Sequence, residues 1–105
     1  MVSDWIFDHN LKAFVDILSE LAGCSFDGGD WDAIESGLAD TNARTDRWYE
    51  HPLTGESMVD LALAVEPGSS VVRVRIQADP DVETKAEMAV WIAQSYNISM
   101  RCGRA

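Results

Sequence analysis

Two stretches decide the fold: Val59-Asp-Leu-Ala-Leu-Ala-Val65 and Val72-Arg-Val-Arg-Ile-Gln77. Each alternates strictly. Val59, Leu61, Leu63 and Val65 share one side, with Asp60, Ala62 and Ala64 on the other; Val72, Val74 and Ile76 oppose Arg73, Arg75 and Gln77. Period-two alternation is the pattern of a strand with one buried face. The spacing predicts strands over 58–65 and 71–77, joined by a loop at 67–70 that reads Pro-Gly-Ser-Ser. Pairing Val65 with Val72, Leu63 with Val74 and Leu61 with Ile76 keeps the apolar residues on one side. A slip by one residue would set Leu63 against Arg73 and turn the core face outward. The other face carries Ala62, Ala64, Arg73 and Arg75 and reads as flat and partly basic, with Asp60 near Gln77 and Arg75.

Upstream, 44–51 (Arg-Thr-Asp-Arg-Trp-Tyr-Glu-His) favours a third strand through Thr45, Trp48 and Tyr49, stopped by His51-Pro52. Residues 9–22 form a helix whose apolar stripe is Leu11, Phe14, Val15, Leu18, Leu21 and Ala22, capped by Asp8 or Asn10 and ended at Gly23. A second helix is expected over 31–41, with Asp30 as its cap. It would bury Trp31, Ile34 and Leu38 and leave Asp32, Glu35 and Asp40 outside. Gly37 costs that helix about 1 kcal/mol relative to Ala. Asp79-Pro80-Asp81 opens a third helix in the manner of an acidic cap before a first-turn proline. Its stripe is Val82, Ala86, Ala89, Val90, Ala93 and Tyr96, and Asn97 is its expected cap. Met88, Trp91, Ile92 and Ser95 make a second stripe, read first as further core and otherwise as a face that meets another chain. Residues 1–8, with Trp5, Ile6 and Phe7, read as a small strand or the first turn of a helix. Ile98–Cys102 is a candidate last strand, and Gly103–Ala105 is expected to fray.

The order helix, helix, strand, strand, strand, helix predicts one α+β domain over 1–105, with a three- or four-stranded antiparallel meander and helices on its apolar face. Four Trp, three Phe and two Tyr supply material for a core.

Charge is unevenly placed. Residues 1–60 hold 13 Asp or Glu against Lys12, Arg44 and Arg47, while residues 61–105 hold five acids and five bases, so the formal −10 falls wholly in the first part. Such a field repels nucleic acid and anionic membrane and attracts basic protein surfaces. No apolar run reaches the ~18–20 residues needed to span a bilayer, and the N-terminus lacks the pattern of a secretory signal. A cytoplasmic protein with Cys24 and Cys102 as free thiols is therefore expected.

No catalytic motif stands out. Asp27-Gly-Gly-Asp-Trp-Asp32 lacks the spacing of a calcium loop and reads as a turn and helix cap. His9, His51 and the two cysteines have no zinc-site spacing. No metal, cofactor or catalysis is expected. The most interface-like segment is Arg44–Leu53, where alternation places Trp48 and Tyr49 on opposite faces. One should be core; the other needs cover from the chain or from a partner.

In its size, acidity and the Tyr49-Glu-His-Pro-Leu-Thr-Gly55 turn followed by two apolar strands, the chain resembles small bacterial immunity proteins. The similarity spans residues 30–96 in general pattern. It implies an inhibitor that blocks a cognate toxin domain without catalysis. Many such toxins are nucleases with basic clefts, which an acidic surface can occupy in place of nucleic acid. The candidate acidic face is Asp27, Asp30, Asp32, Glu35, Asp40, Asp46 and Glu50, with Trp31 and Tyr49 as candidate anchors. Two other readings stand beside it. One is a homodimer or larger homo-oligomer formed through the Trp91 face. The other is a small enzyme or ligand binder, marked by a deep pocket collecting His51, Cys24 or carboxylates.

Overall fold

The computed structural model describes residues 2–7, 11–96 and 102–104. The elements run β1 (Val2–Phe7), α1 (Leu11–Ala22), α2 (Gly28–Leu38), a 3-10 turn (Ala43–Thr45), β2 (Tyr49–Leu53), β3 (Val59–Val65), β4 (Val72–Gln77), α3 (Pro80–Tyr96) and β5 (Cys102–Arg104). The α+β class is as the alternation and helical periodicity indicate.

β3 and β4 pair in the expected register, with Val65 opposite Val72, Leu63 opposite Val74 and Leu61 opposite Ile76. The loop between them closes by Glu66 N–H donating to Val71 O at 2.9 Å. β2 extends this meander on the far side of β3. The sheet is larger than a meander alone, with five strands in the order β2-β3-β4-β1-β5. β4 has a second edge to satisfy, and the N-terminal segment takes it. Trp5 lies opposite Val74 and Phe7 opposite Val72, so β1 adds its two aromatics to the apolar face. Of the two conformations open to residues 1–8, the strand is the one adopted. β5 then pairs with β1, Cys102 opposite Phe7 and Arg104 opposite Trp5. Gly103 and Arg104 thus lie in a strand where fraying was expected. The expected caps at Asp8, Asn10 and Asn97, and all of the expected strand over 98–102 except Cys102 itself, fall outside the described residues.

The core lies between this sheet face and the helices. Trp5, Phe7, Leu53, Val59, Leu61, Leu63, Val74 and Ile76 meet Leu11, Phe14, Val15, Leu18 and Ala22 of α1 and Val82, Ala86, Ala89 and Val90 of α3. The Phe7 and Phe14 rings stand 4.4 Å apart, which fixes the β1–α1 connection. Among the described residues of α3, the buried ones are Val82, Ala86, Ala89 and Val90, all of the first stripe. At 100° per residue, Trp91 turns away from Val90. It is 72% exposed and Met88 49%, so these two members of the second stripe are not core as first read.

Two boundaries differ from expectation for local reasons. α2 starts at Gly28, earlier than 31, because Asp27 and not Asp30 is its cap. The two acids form a reciprocal capping box: Asp30 N–H donates to Asp27 Oδ1 and Asp27 N–H to Asp30 Oδ2, both at 3.0 Å. β2 begins at Tyr49, later than 44, and runs through Pro52. The Asn42 side chain accepts from the N–H groups of Arg44 (2.9 Å) and Thr45 (3.3 Å), which winds that segment into a turn. Asp46 follows in the left-handed region at φ 58°. Pro52 is tolerated because β2 is an edge strand, where an outward N–H has no ladder partner.

Candidate functional site

Parity along β2 sorts the candidate residues. Tyr49 pairs with Leu63, His51 with Leu61 and Leu53 with Val59, so all three share the core face. Trp48, Glu50 and Pro52 point the other way. Tyr49 is therefore not the exposed anchor read from the sequence. It packs against the core under α2, and a Cβ at Gly37 would overlap its ring. Its hydroxyl meets His51 Nδ1 at 3.1 Å, and His51 Nε2 stands 3.3 Å from Asp30 Oδ1. These three groups lie in a row from the edge strand to the start of α2, although His51 Nε2 makes no hydrogen bond to Asp30. Thr41 pins the other end of α2, donating to Leu38 O at 2.8 Å and accepting from Val65 N–H at 3.1 Å. Trp31 is half-buried against the core and serves mainly to seat α2.

The acids divide into three sets. Asp27 and Asp30 close the capping box. Asp32, Glu35 and Asp40 are exposed on α2 and just after it. Asp46 and Glu50 are exposed around β2, toward the outer sheet face. Among the described residues only Asp30 of these seven has a basic group within salt-bridge distance, and that group is His51. The acids are thus not neutralised one by one. Two of them also oppose the field of α2. α2 has no basic residue in its last turn, yet Glu35 and Asp40 lie at its negative end.

The outer sheet face is neither flat nor simply basic. Arg75 Nε donates to Asp4 Oδ1 at 3.0 Å, a partner that only the unexpected placement of β1 supplies. The Arg75 guanidinium also lies 4.8 Å from the centre of the Trp48 ring, and Trp48 Nε1 donates to Asp46 Oδ1 at 2.6 Å. Asp60 faces Gln77, as expected. Asp46, Trp48, Asp60, Arg75 and Gln77 border a groove of about 490 Å³. The reading from sequence missed Trp48, Asp60 and Arg75 as site residues. Leu53 was the available signal: it is apolar and shares parity with Tyr49, so Trp48 had to be the outward aromatic.

Cys24 is free. Its Sγ donates to Ser57 O at 3.1 Å, and burial holds the thiol above its ordinary range against smaller pulls from the Ser57 backbone and Lys85. Among the described residues, no group of three or more His, Cys, Asp or Glu could hold a metal ion, and no helix is long and apolar enough to cross a membrane. No family model matches the chain, and no curated protein or solved structure is similar to it.

Proposed function

We propose that this chain is a protein-binding inhibitor that docks a basic partner on the flank formed by α2, the following loop and the β2 edge. The reading extends the resemblance to bacterial immunity proteins: the partner is a cognate toxin domain, most simply a nuclease with a basic cleft, and the protein acts in the cytoplasm without catalysis. One observation carries it. Asp32, Glu35, Asp40, Asp46 and Glu50 are exposed and have no basic partner among the described residues. Like charges three residues apart on a helix, and carboxylates at its C-terminal end, each cost a few tenths of a kcal/mol. A surface that keeps them gains when a cationic partner covers them. Opposite fields would also speed encounter.

The experiment is association with a purified basic nuclease domain, followed across ionic strength. Binding should weaken steeply with salt, and D32N/E35Q/D40N should slow association at low salt by about tenfold. Equal association by the variant at every ionic strength would remove the proposal.

A second reading, self-association through α3, draws on the exposure of Met88 and Trp91. Light scattering that shows a monomer at high concentration would dismiss it.

A further inference from the structure

The groove on the outer sheet face is built in two rungs. Glu50, Ala62 and Arg75 lie side by side across β2, β3 and β4, and Pro52, Asp60 and Gln77 form the next rung. Ala62 is the small residue at the centre. The side chains of β2 and β4 therefore stand as walls about 10 Å apart, two inter-strand spacings. One end is closed where the Arg75 guanidinium and the Trp48 ring meet, 4.8 Å apart. Both partners in that contact are held from behind, Trp48 by Asp46 and Arg75 by Asp4. The closed end is thus a preorganised aromatic wall. Asp4 already matches the charge of Arg75. Asp46, Glu50 and Asp60 also line the groove, and none has a basic partner among the described residues.

We propose that this groove receives the guanidinium side chain of an arginine from a basic partner protein. The proposal rests on the reading above that the partner is basic; it shares Asp46 and Glu50 with that flank but uses none of the exposed acids of α2. A planar cation fits the slot between the two walls and can lie against the indole. Its forked N–H groups match the carboxylates of Glu50 and Asp60. The Trp48–Arg75 contact is the fold's own instance of the same recognition. A lysine ammonium would meet the carboxylates without the planar contact or the fork. Phosphates of nucleic acid would meet three carboxylates and are rejected.

The test is an NMR titration of the ¹⁵N-labelled full chain with N-acetyl-arginine methylamide, and separately with N-acetyl-lysine methylamide. The Trp48 indole signal and the Ala62 and Gln77 amides should shift with the arginine probe and respond more weakly to the lysine probe. E50Q/D60N should weaken arginine binding by at least about tenfold, the loss of one charge-assisted hydrogen bond. Both side chains are exposed, so the variant should unfold at the same urea concentration as the parent, which separates lost binding from lost fold. D32N/E35Q should leave the arginine titration unchanged. No shift at Trp48 and Ala62, equal response to both probes, or a shift indifferent to E50Q/D60N overturns the groove. If toxin association ignores the α2 acids while the groove still selects arginine, the flank reading fails and the groove stands; the reverse pattern sinks the groove alone.

Discussion

Gly37 lets α2 pack closely on the Tyr49 ring. By propensity alone, Gly37→Ala should gain about 1 kcal/mol. A Cβ there would run into the Tyr49 ring, so the structure reverses the sign. The variant should lose about 1–3 kcal/mol, as other overpacked contacts do, and urea unfolding checks it. An increase in stability would mean that α2 does not rest on Tyr49. Gly23 has a different need: it ends α1 at φ 70°, where a side chain is disfavoured. Cys24 gives a chemical check. Because burial raises its pKa, less thiolate is present at pH 8 than in the unfolded chain. Iodoacetamide should therefore modify the native thiol more slowly than the urea-unfolded one. The linkage has a definite sign. A thiol that holds its proton more tightly when folded stabilises the fold fully at neutral pH, and that contribution is lost as pH rises through the folded pKa in the alkaline range. Equal alkylation rates in the two states would contradict the burial of the sulfur.

At the scale of elements, α2 shows how a helix can serve a partner at some cost to itself. Its start is well capped, and Asp27→Ala should cost about 1 kcal/mol by breaking the box with Asp30. Its end is not compensated. Asp40→Lys should stabilise the isolated protein by about 0.3–1 kcal/mol, since a cation suits the negative end of a helix, yet slow association with a basic partner. Thermal unfolding and stopped-flow association read the two effects separately. If Asp40→Lys raised stability and left association unaltered, Asp40 would be an ordinary surface acid. Much of α2 was legible: the i, i+3, i+7 spacing of Trp31, Ile34 and Leu38 correctly put Asp32, Glu35 and Asp40 outside. Its boundary was not, because Asp27 and Asp30 are equally good caps in isolation. β2 was harder. Residues 44–48 have strand-like side chains, but the Asn42 side chain and the left-handed Asp46 turn the backbone before a ladder can begin.

For the whole molecule, the −10 charge predicts that salt should act on binding far more than on fold. Exposed carboxylates are screened over about 10 Å at 0.1 M salt, whereas the core of apolar side chains is not. Association should therefore fall steeply between low and physiological ionic strength while the urea midpoint barely moves. Parallel losses in both would argue that the acids are chiefly a folding device.

The strand and helix periods, the β3–β4 register and the segregation of charge are local or pairwise properties of the chain. Alternation has only two parities, and one of them would bury arginine, so neighbouring residues suffice to settle them. The placement of β1 between β4 and β5, and with it the Asp4 partner that holds Arg75 beside the groove, depends on which edge of the sheet remains unsatisfied after the meander has formed. Backbone hydrogen-bond demand along that edge decides this, and it arises only once distant segments are already side by side.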